Sequence, residues 1–382
     1  MFILPKERWD ESRRLTRYCF RDNSGDFTRW YYDRRASNVY ALADDYDGII
    51  AQAVDSRVKV NVRGREVASS MISHVATDPG CRSKGIMRGL LTDVLCELNK
   101  DGVALAVLYP SAYSFYERYG FAACGNAARV AIAPDRLEAR PLADRLCWDD
   151  YQDINKLADC YAAAHVNVSG SVTRGVVGML DRVDDLAQDG AAVVSLYRDG
   201  IITGYWFRRD EPGVMYIDEA AFRDASARRD FLSYIAQNAS TVNEARLRLP
   251  AFDPLLGMLP DRYATITLEP WGMFRAVDLP GLANGLPAGD GDVTLDVAEG
   301  PNPVNAERWR FASDGGRLCI SRVREGGAAA AASLGVGAVA AWLVGSADGT
   351  ALMESGHPLA PETARAMDAL LPARRVFLWE QY

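Results

Sequence analysis

Apolar and polar positions alternate along this chain with periods that change in a regular order. Lys6 to Phe20 carries apolar residues at helical spacing, and after a turn at residues 22–25 a second helix runs through Trp30 to Arg34. Runs rich in Val and Ile with turn residues between them then predict strands at Val39–Ala43, Gly48–Val62 and Glu66–Ala76. The segment Thr77 to Met87 leads into a strongly helical stretch ending at Lys100. Val103–Leu108 is short and continuously apolar, the pattern of a strand buried on both faces. A polar break at Pro110-Ser111, a short helix through Tyr119 and a strand opening at Gly120-Phe121 follow.

The register changes near Ala133-Pro134. Helices are expected over Asp149–His165 and Thr173–Ala187, then strands over Ala191–Arg198, Ile201–Arg209 and Val214–Ala221. A helix at Ala225–Ala239 and a strand at Ala245–Leu249 complete a succession that loosely repeats the first. The Pro/Gly-rich stretch Pro280–Gly291 reads as a boundary, and the residues after it as strands followed by helices, an α+β arrangement. The expected division is 1–135, 136–285 and 286–382.

Composition narrows the class. At 382 residues, 49% apolar and 25% charged, the chain is an ordinary globular protein of two or three domains. With 43 Lys+Arg against 51 Asp+Glu the net charge is −8, which argues against non-specific nucleic-acid binding. Seven cysteines without CxxC spacing, and only three histidines, offer no metal cluster, so no metal cofactor is expected. The first residues turn charged after five positions and lack the apolar core of a signal peptide, so a cytoplasmic location is expected. Gly326–Ala347 is uncharged and long enough to span a bilayer, but its large apolar residues begin only at Leu334; a buried helix, with no membrane span, is the expectation.

The chemistry concentrates where a strand runs through Arg82-Ser83-Lys84-Gly85-Ile86-Met87 into a helix. Glycine permits close approach there, and a helix start aims free N–H groups at an anion. Arg82, Lys84 and Arg88, with no acid beside them, are unfavourable to the helix dipole unless an anion binds. This spacing resembles the acetyl-CoA loop of the GNAT N-acetyltransferase superfamily, and Tyr109 to Phe121 resembles its aromatic segment ending in Gly-Phe. Nearly the whole chain is similar to the Eis (enhanced intracellular survival) group. That group joins a GNAT domain, a degenerate GNAT-like domain and a sterol-carrier-protein-like C-terminal domain. Trp271–Pro280 is similar to its strand closing the second domain, and Leu334–Leu343 to its C-terminal helix.

The resemblance implies an acetyl-CoA-dependent N-acetyltransferase acting on an exposed amine, aminoglycoside-like or lysine, and a homohexamer. It puts acetyl-CoA contacts on Val75, Ala76, Thr77, Arg82, Ser83, Lys84, Gly85, Ile86, Met87 and Arg88, with Ser111 and Ala112 beyond them. It makes Tyr116 the general acid. With a phenol pKa of ~10 and a thiol pKa of ~8.5, protonating the departing thiolate is uphill by roughly 2 kcal/mol in water. The group's base is the C-terminal carboxylate, here that of Tyr382, which is mismatched to an ammonium by about 7 pKa units. His74 matches better and ends the strand before the loop, at a position typically aromatic in the group. Both stay open as bases. Arg374 to Tyr382 is a strand-like apolar stretch running to the last residue, and an end this apolar is expected to be buried. Phe20, Asp22, Trp30 and Tyr109 are the implied amine-pocket residues, and Met87 and Gln381 depart from the group's usual residues. The rival readings are a non-catalytic acyl-CoA- or lipid-binding protein and a protein-lysine acetyltransferase.

Overall fold

A computed structural model describes residues 1–20, 25–46, 48–148, 153–260, 262–300, 304–324 and 329–381. The chain divides into two compact units. One comprises Met1–Cys124, Val168–Val172 and Trp271–Tyr382; the other comprises Gly125–Asn167 and Thr173–Pro270.

In the first unit the elements follow the sequence pattern closely. They are β1 (Phe2–Ile3), α1 (Trp9–Phe20), α2 (Gly25–Arg34), β2 (Asn38–Ala43), β3 (Ile49–Val62), β4 (Arg65–Thr77), α3 (Ile86–Lys100), β5 (Leu105–Leu108) and α4 (Tyr113–Glu117). Strands β1 to β4 pair antiparallel in order, and β4 pairs parallel with β5 through the crossover helix α3. On the far side of β5 lies Met273–Ala276, antiparallel, with Met273 opposite Leu108 and Ala276 opposite Leu105.

Burial explains the continuous apolar run of β5. Leu105 and Val107 face a core shared with Val60, Val62, Val67 and Phe274, while Ala106 and Leu108 face Leu90, Leu91, Val94 and Leu98 of α3. The β4–β5 pairing covers only Ser69 to Met71, although β4 continues to Thr77. Beyond Met71 the two strands no longer bond one another, and the site described below lies at these ends.

The last third of the chain forms a four-stranded sheet ordered Arg317–Arg322, Arg308–Asp314, Asp292–Ala298, Ala332–Gly335, followed by helices Val336–Val344, Gly349–Glu354 and Pro361–Leu370. Every residue of Val336–Val344 is buried, and among the described residues no helix is long and apolar enough to cross a membrane. Arg63 reaches the C-terminal end of this helix: its guanidinium donates to the carbonyls of Leu343 (2.7 Å) and Trp342 (2.9 Å) and to that of Pro372 (2.8 Å). A cation satisfying terminal carbonyls at the negative end of a helix dipole is a favourable placement. The Pro280–Gly291 stretch is not wholly irregular, since Leu279–Ala283 is a short helix whose Leu279, Leu282 and Ala283 are buried.

The second unit repeats the strand logic. Ala192–Arg198, Ile201–Glu211 and Val214–Phe222 are antiparallel neighbours; Val214–Phe222 then pairs parallel with Glu244–Pro250 across helix Ala225–Gln237. Within strand Val214–Phe222 of this sheet, Glu219, fully buried, accepts from Arg174 at 2.5 Å, Arg182 at 2.9 Å and the Tyr205 hydroxyl at 2.9 Å. The helix expected to start at Asp149 is seen from Ile154, with Asp153 accepting from the Lys156 amide as its cap; residues 149–152 lie outside the described residues.

Candidate active site

The loop after β4 is held by its own side chains. Asp78 accepts from the Gly80 amide at 2.8 Å, Arg82 Nε donates to the Thr77 carbonyl at 3.1 Å, and Lys84 Nζ donates to the Gly80 carbonyl at 3.2 Å. Ser83 (φ 61°) and Gly85 (φ 76°) are both left-handed. A Cβ on Gly85 would touch nothing within 4 Å, so the backbone angle, not space, is what favours glycine there. Helix α3 begins at Ile86 with no side-chain cap and no acid in its first turn. The Arg88 amide bonds back to the Gly85 carbonyl at 3.0 Å, which leaves the helix start ahead of it, at Ile86 and Met87, as the place to meet an anion, with Arg82 and Arg88 lining the same cavity.

The corresponding helix start in the second unit is occupied by its own carboxylate. Asp224 caps Ala225–Gln237 by accepting from the Ala227 amide at 2.9 Å, and pairs with Arg198 at 3.0 Å. A carboxylate of the chain itself thus takes the place at this helix start that the α3 start leaves to an outside anion.

A cavity of about 610 Å³ opens between the end of β4, the loop and α4. Such a volume falls within the range of small-molecule and cofactor sites. Of the residues expected around acetyl-CoA, all but Lys84 line it, from Val75–Thr77 on one wall through Arg82, Ser83 and Gly85–Arg88 to Ser111 and Ala112. Lys84 is exposed on the loop. Phe20 also lines the cavity, half exposed at 50%. Five further lining residues escaped the sequence reading: Cys19, Cys81, Phe115, Arg118 and Tyr119. Arg118 and Tyr119 sit in the aromatic segment already singled out. Cys19 reaches the wall only because α1 folds back, its thiol 3.5 Å from the Thr77 carbonyl.

Tyr116 lines the same cavity and is 6% exposed, edge-on to Phe115 and Phe121. Burial pushes its phenol up to about 12, with a hydrogen bond from Ser111 pulling the other way. This corrects the solution-value arithmetic: against a thiol near 8.5 the transfer is uphill by about 3.5 units, roughly 5 kcal/mol. The short helix bearing Tyr116 ends against Gly120 (φ 78°), where a Cβ would collide with Val336 Cγ1 and lie 3.3 Å from Arg275 Nε. Arg275 Nε donates to the Tyr119 carbonyl at 2.6 Å and pairs with buried Glu299.

His74 lies beside the cavity wall without being one of its lining residues. Opposite Ala53 the β3–β4 ladder shifts between Gln52–Ala76 and Val54–Ser73, so His74 and Val75 form a β-bulge. His74 has φ 48°, rare for a residue with a Cβ, and its ring packs on Tyr31 (4.5 Å), Tyr32 (5.6 Å) and Phe20 (6.5 Å).

The other expected site residues disperse. Trp30 is half-buried and packs on the cluster of Leu4, Trp9 and Tyr31, while Tyr109 packs on Trp271 at 4.9 Å. Neither lines the cavity. Asp22 and Tyr382 lie outside the described residues. The approach to Tyr382 is buried: Phe377, Leu378, Trp379 and Glu380 are at most 1% exposed. The expected long terminal strand is reduced to Arg375–Val376, pairing parallel with Val168–Ser169. Beyond it the chain is held by other means, with the Leu378 carbonyl accepting from Trp271 Nε1 at 2.8 Å and Phe377 stacked on Trp271. Among the described residues no group of three or more His, Cys, Asp or Glu side chains could hold a metal ion.

Comparison with known proteins bears on this site. The acetyltransferase (GNAT) domain family matches residues 3–124, the segment that contains the loop, the bulge and Tyr116. An uncharacterized N-acetyltransferase of Streptomyces griseus is 25% identical over 295 residues, covering 69% of this chain and 70% of its own. In fold, the chain is similar to a probable N-acyltransferase of Enterococcus faecalis V583, with a TM-score of 0.90, 19% identity and coverage of 100% of this chain and 99% of that one. It is similar too to Eis1 of Mycobacterium abscessus, with a TM-score of 0.79, 19% identity and the same coverage.

Proposed function

We infer that this chain, which carries a GNAT acetyltransferase domain in residues 3–124, uses acetyl-CoA to acetylate an exposed primary amine, aminoglycoside-like or lysine. The observation that carries the reading is a cavity shared by the uncapped start of α3 on one wall and the buried Tyr116 phenol on another. The loop amides with Arg82 and Arg88 suit a pyrophosphate, and the end of β4 suits an amide-bearing pantetheine arm laid beside it. The amine nitrogen attacks the thioester carbonyl carbon and the C–S bond breaks. Tyr116 gives its proton to the departing sulfur, and the amine's proton passes to the Tyr382 carboxylate or, through water, to His74. Backbone N–H groups at the β4 bulge polarise the thioester carbonyl. Val75 and Ala76 hold the donor; Phe20, Asp22, Trp30 and Tyr109 serve the amine side.

The three-part division at 135/136 and 285/286, a sterol-carrier-like last part and a homohexamer are proposed with it, on resemblance. The deciding assay measures thiol release from acetyl-CoA against a panel of aminoglycosides, lysine peptides and simple amines. Turnover with an amine is expected. Tight CoA binding without thiol release for any amine would replace the enzyme with an acyl-CoA-binding protein, and turnover restricted to peptides would make it a protein-lysine acetyltransferase.

A further inference from the structure

His74 is held twice over, once by its backbone and once by its ring. Its left-handed angle is disfavoured for a residue with a Cβ, and such strain persists where surrounding structure over-determines it. On the backbone side, Gln52 Nε2 lies 3.4 Å from the His74 carbonyl, donates to Thr16 Oγ1 at 2.7 Å and lies 3.2 Å from the Tyr32 hydroxyl. That hydroxyl is 2.6 Å from Ser12 Oγ. On the ring side, His74 Nδ1 is 2.9 Å from Ser73 Oγ, which is 2.7 Å from the Tyr31 hydroxyl, which is 2.9 Å from Ser56 Oγ. Ser73, Tyr31 and Ser56 are all at most 3% exposed. A ring that only filled space would need no file of buried hydroxyls behind it.

We propose that Ser73 and Tyr31 are positioning residues for His74: the file His74–Ser73–Tyr31–Ser56 keeps the imidazole proton on Nδ1 and makes Nε2 the basic nitrogen toward the acceptor amine. This rests on the acetyltransferase reading with His74 as the base. The hydrogens balance along the file. Nδ1–H donates to Ser73 Oγ, the Ser73 hydroxyl donates to the Tyr31 oxygen, and the Tyr31 hydroxyl donates to Ser56 Oγ. When Nε2 takes the amine's proton, Nδ1–H is already aimed at an acceptor, so no side chain has to turn as the charge appears. Among the described residues, the titratable groups seen packed on the ring are the phenols of Tyr31 and Tyr32, with Arg35 and Arg13 acting on them; burial raises both phenols, so they stay neutral hydrogen-bonding partners. Phe20, which contacts the ring and lines the cavity, links His74 to the reaction space.

The test reads the imidazole directly. The ¹⁵N shifts of the histidine rings are recorded on the full chain near pH 8, with His74 assigned from the His74→Phe spectrum. The Nδ1–H form is expected in the unsubstituted protein, and Ser73→Ala is expected to move the ring toward the Nε2–H form. In steady-state kinetics, Ser73→Ala and Tyr31→Phe should lower kcat by about tenfold and displace the acid limb of the kcat–pH profile. KM for acetyl-CoA should stay within about twofold and Ser73→Thr should restore kcat, an outcome that loosened packing alone does not produce. An Nε2–H ring in the unsubstituted protein overturns the proposal, as does a Ser73→Ala variant with tautomer and acid limb unchanged. Undiminished kcat in His74→Phe removes the imidazole as base while leaving the acetyltransferase standing. Absence of turnover with every amine fells the enzyme reading and the base role together, and the nitrogen shifts still report whether the file sets the tautomer.

Discussion

Replacing Tyr116 with phenylalanine removes one oxygen from a side chain that otherwise stays where it is, among Phe115, Tyr119 and Phe121. The lost hydrogen bond to Ser111 is worth about 1 kcal/mol, and Ser111 is exposed, so its hydroxyl turns to water. The fold should therefore survive with a small fall in melting temperature. The chemical loss is larger. With the phenol pushed up to about 12, it is fully protonated at neutral pH and gives up its proton only once negative charge has built up on sulfur. Deleting a general acid of this kind lowers the rate by about 10²–10⁴-fold. We expect kcat for Tyr116→Phe to fall at least ~100-fold, with KM for acetyl-CoA within about threefold. Thiol release followed with a chromogenic thiol reagent, over pH 6 to 10, provides the measurement. The unsubstituted protein should show no alkaline fall in kcat from this phenol within that range, because its titration lies above it. A folded Tyr116→Phe protein retaining kcat within about threefold would refute the reasoning, and an alkaline limb near pH 9 that vanished with the substitution would contradict the buried phenol.

Three further outcomes are expected. A peptide extension after Tyr382 continues a segment whose Phe377–Glu380 are buried, so it should cut kcat by ~10-fold or more while CoA affinity by calorimetry changes less than about twofold; undiminished turnover would remove that carboxylate from the reaction. Gly85→Ala places a Cβ at φ 76°, a strain of roughly 1–2 kcal/mol at the anion-binding turn, and should raise KM for acetyl-CoA by about tenfold with kcat kept; an unchanged KM would mean the loop does not hold the donor's phosphates in this form. In the second unit, burial opposes ionisation of Glu219, but Arg174 and Arg182 hold its carboxyl well below the usual range. Glu219→Gln removes the buried carboxylate that Arg174 and Arg182 share, with Arg182 keeping Asp185 at 2.7 Å, and should lose about 3 kcal/mol in denaturant unfolding at pH 7. A depressed folded pKa contributes stability fully above the unfolded value near 4.3 and loses it as pH falls toward the folded one, so the deficit should narrow below about pH 4. A deficit independent of pH would assign the loss to packing.

Elements whose formation depends on local pattern were legible in the sequence, and features set by distant partners were not. Val103–Leu108 could be read as a strand buried on both faces because apolar continuity directly reports two covered faces. The start of α3 could be read because glycine and uncompensated cations have few other uses together. His74 was recognised as matched in pKa to a base, yet its left-handed backbone and its hydroxyl file depend on Tyr31 and Ser56, which no periodicity ties to it. The phenol of Tyr116 was assigned a solution acidity because burial has no local signature. The end of the chain looked like a strand because it is apolar, but its neighbour there is the Trp271 side chain rather than a ladder, so only Arg375–Val376 pairs. Trp30 and Tyr109 have the aromatic character of pocket residues, and their packing on the Leu4–Trp9–Tyr31 cluster and on Trp271 is set by partners that no local pattern reveals.

The neighbour that β5 acquires on its far side, Met273–Ala276, arrives more than 150 residues after it in the chain. A fragment cut to residues 3–124, the stretch that the domain family matches, would therefore leave Leu105–Leu108 as a bare hydrophobic margin with unsatisfied amides, inviting intermolecular pairing. Folding likewise waits on long loop closures, so a slow refolding phase and poor tolerance of domain dissection come with the connectivity itself. Engineering this catalyst into a smaller scaffold would mean supplying a substitute for that borrowed strand.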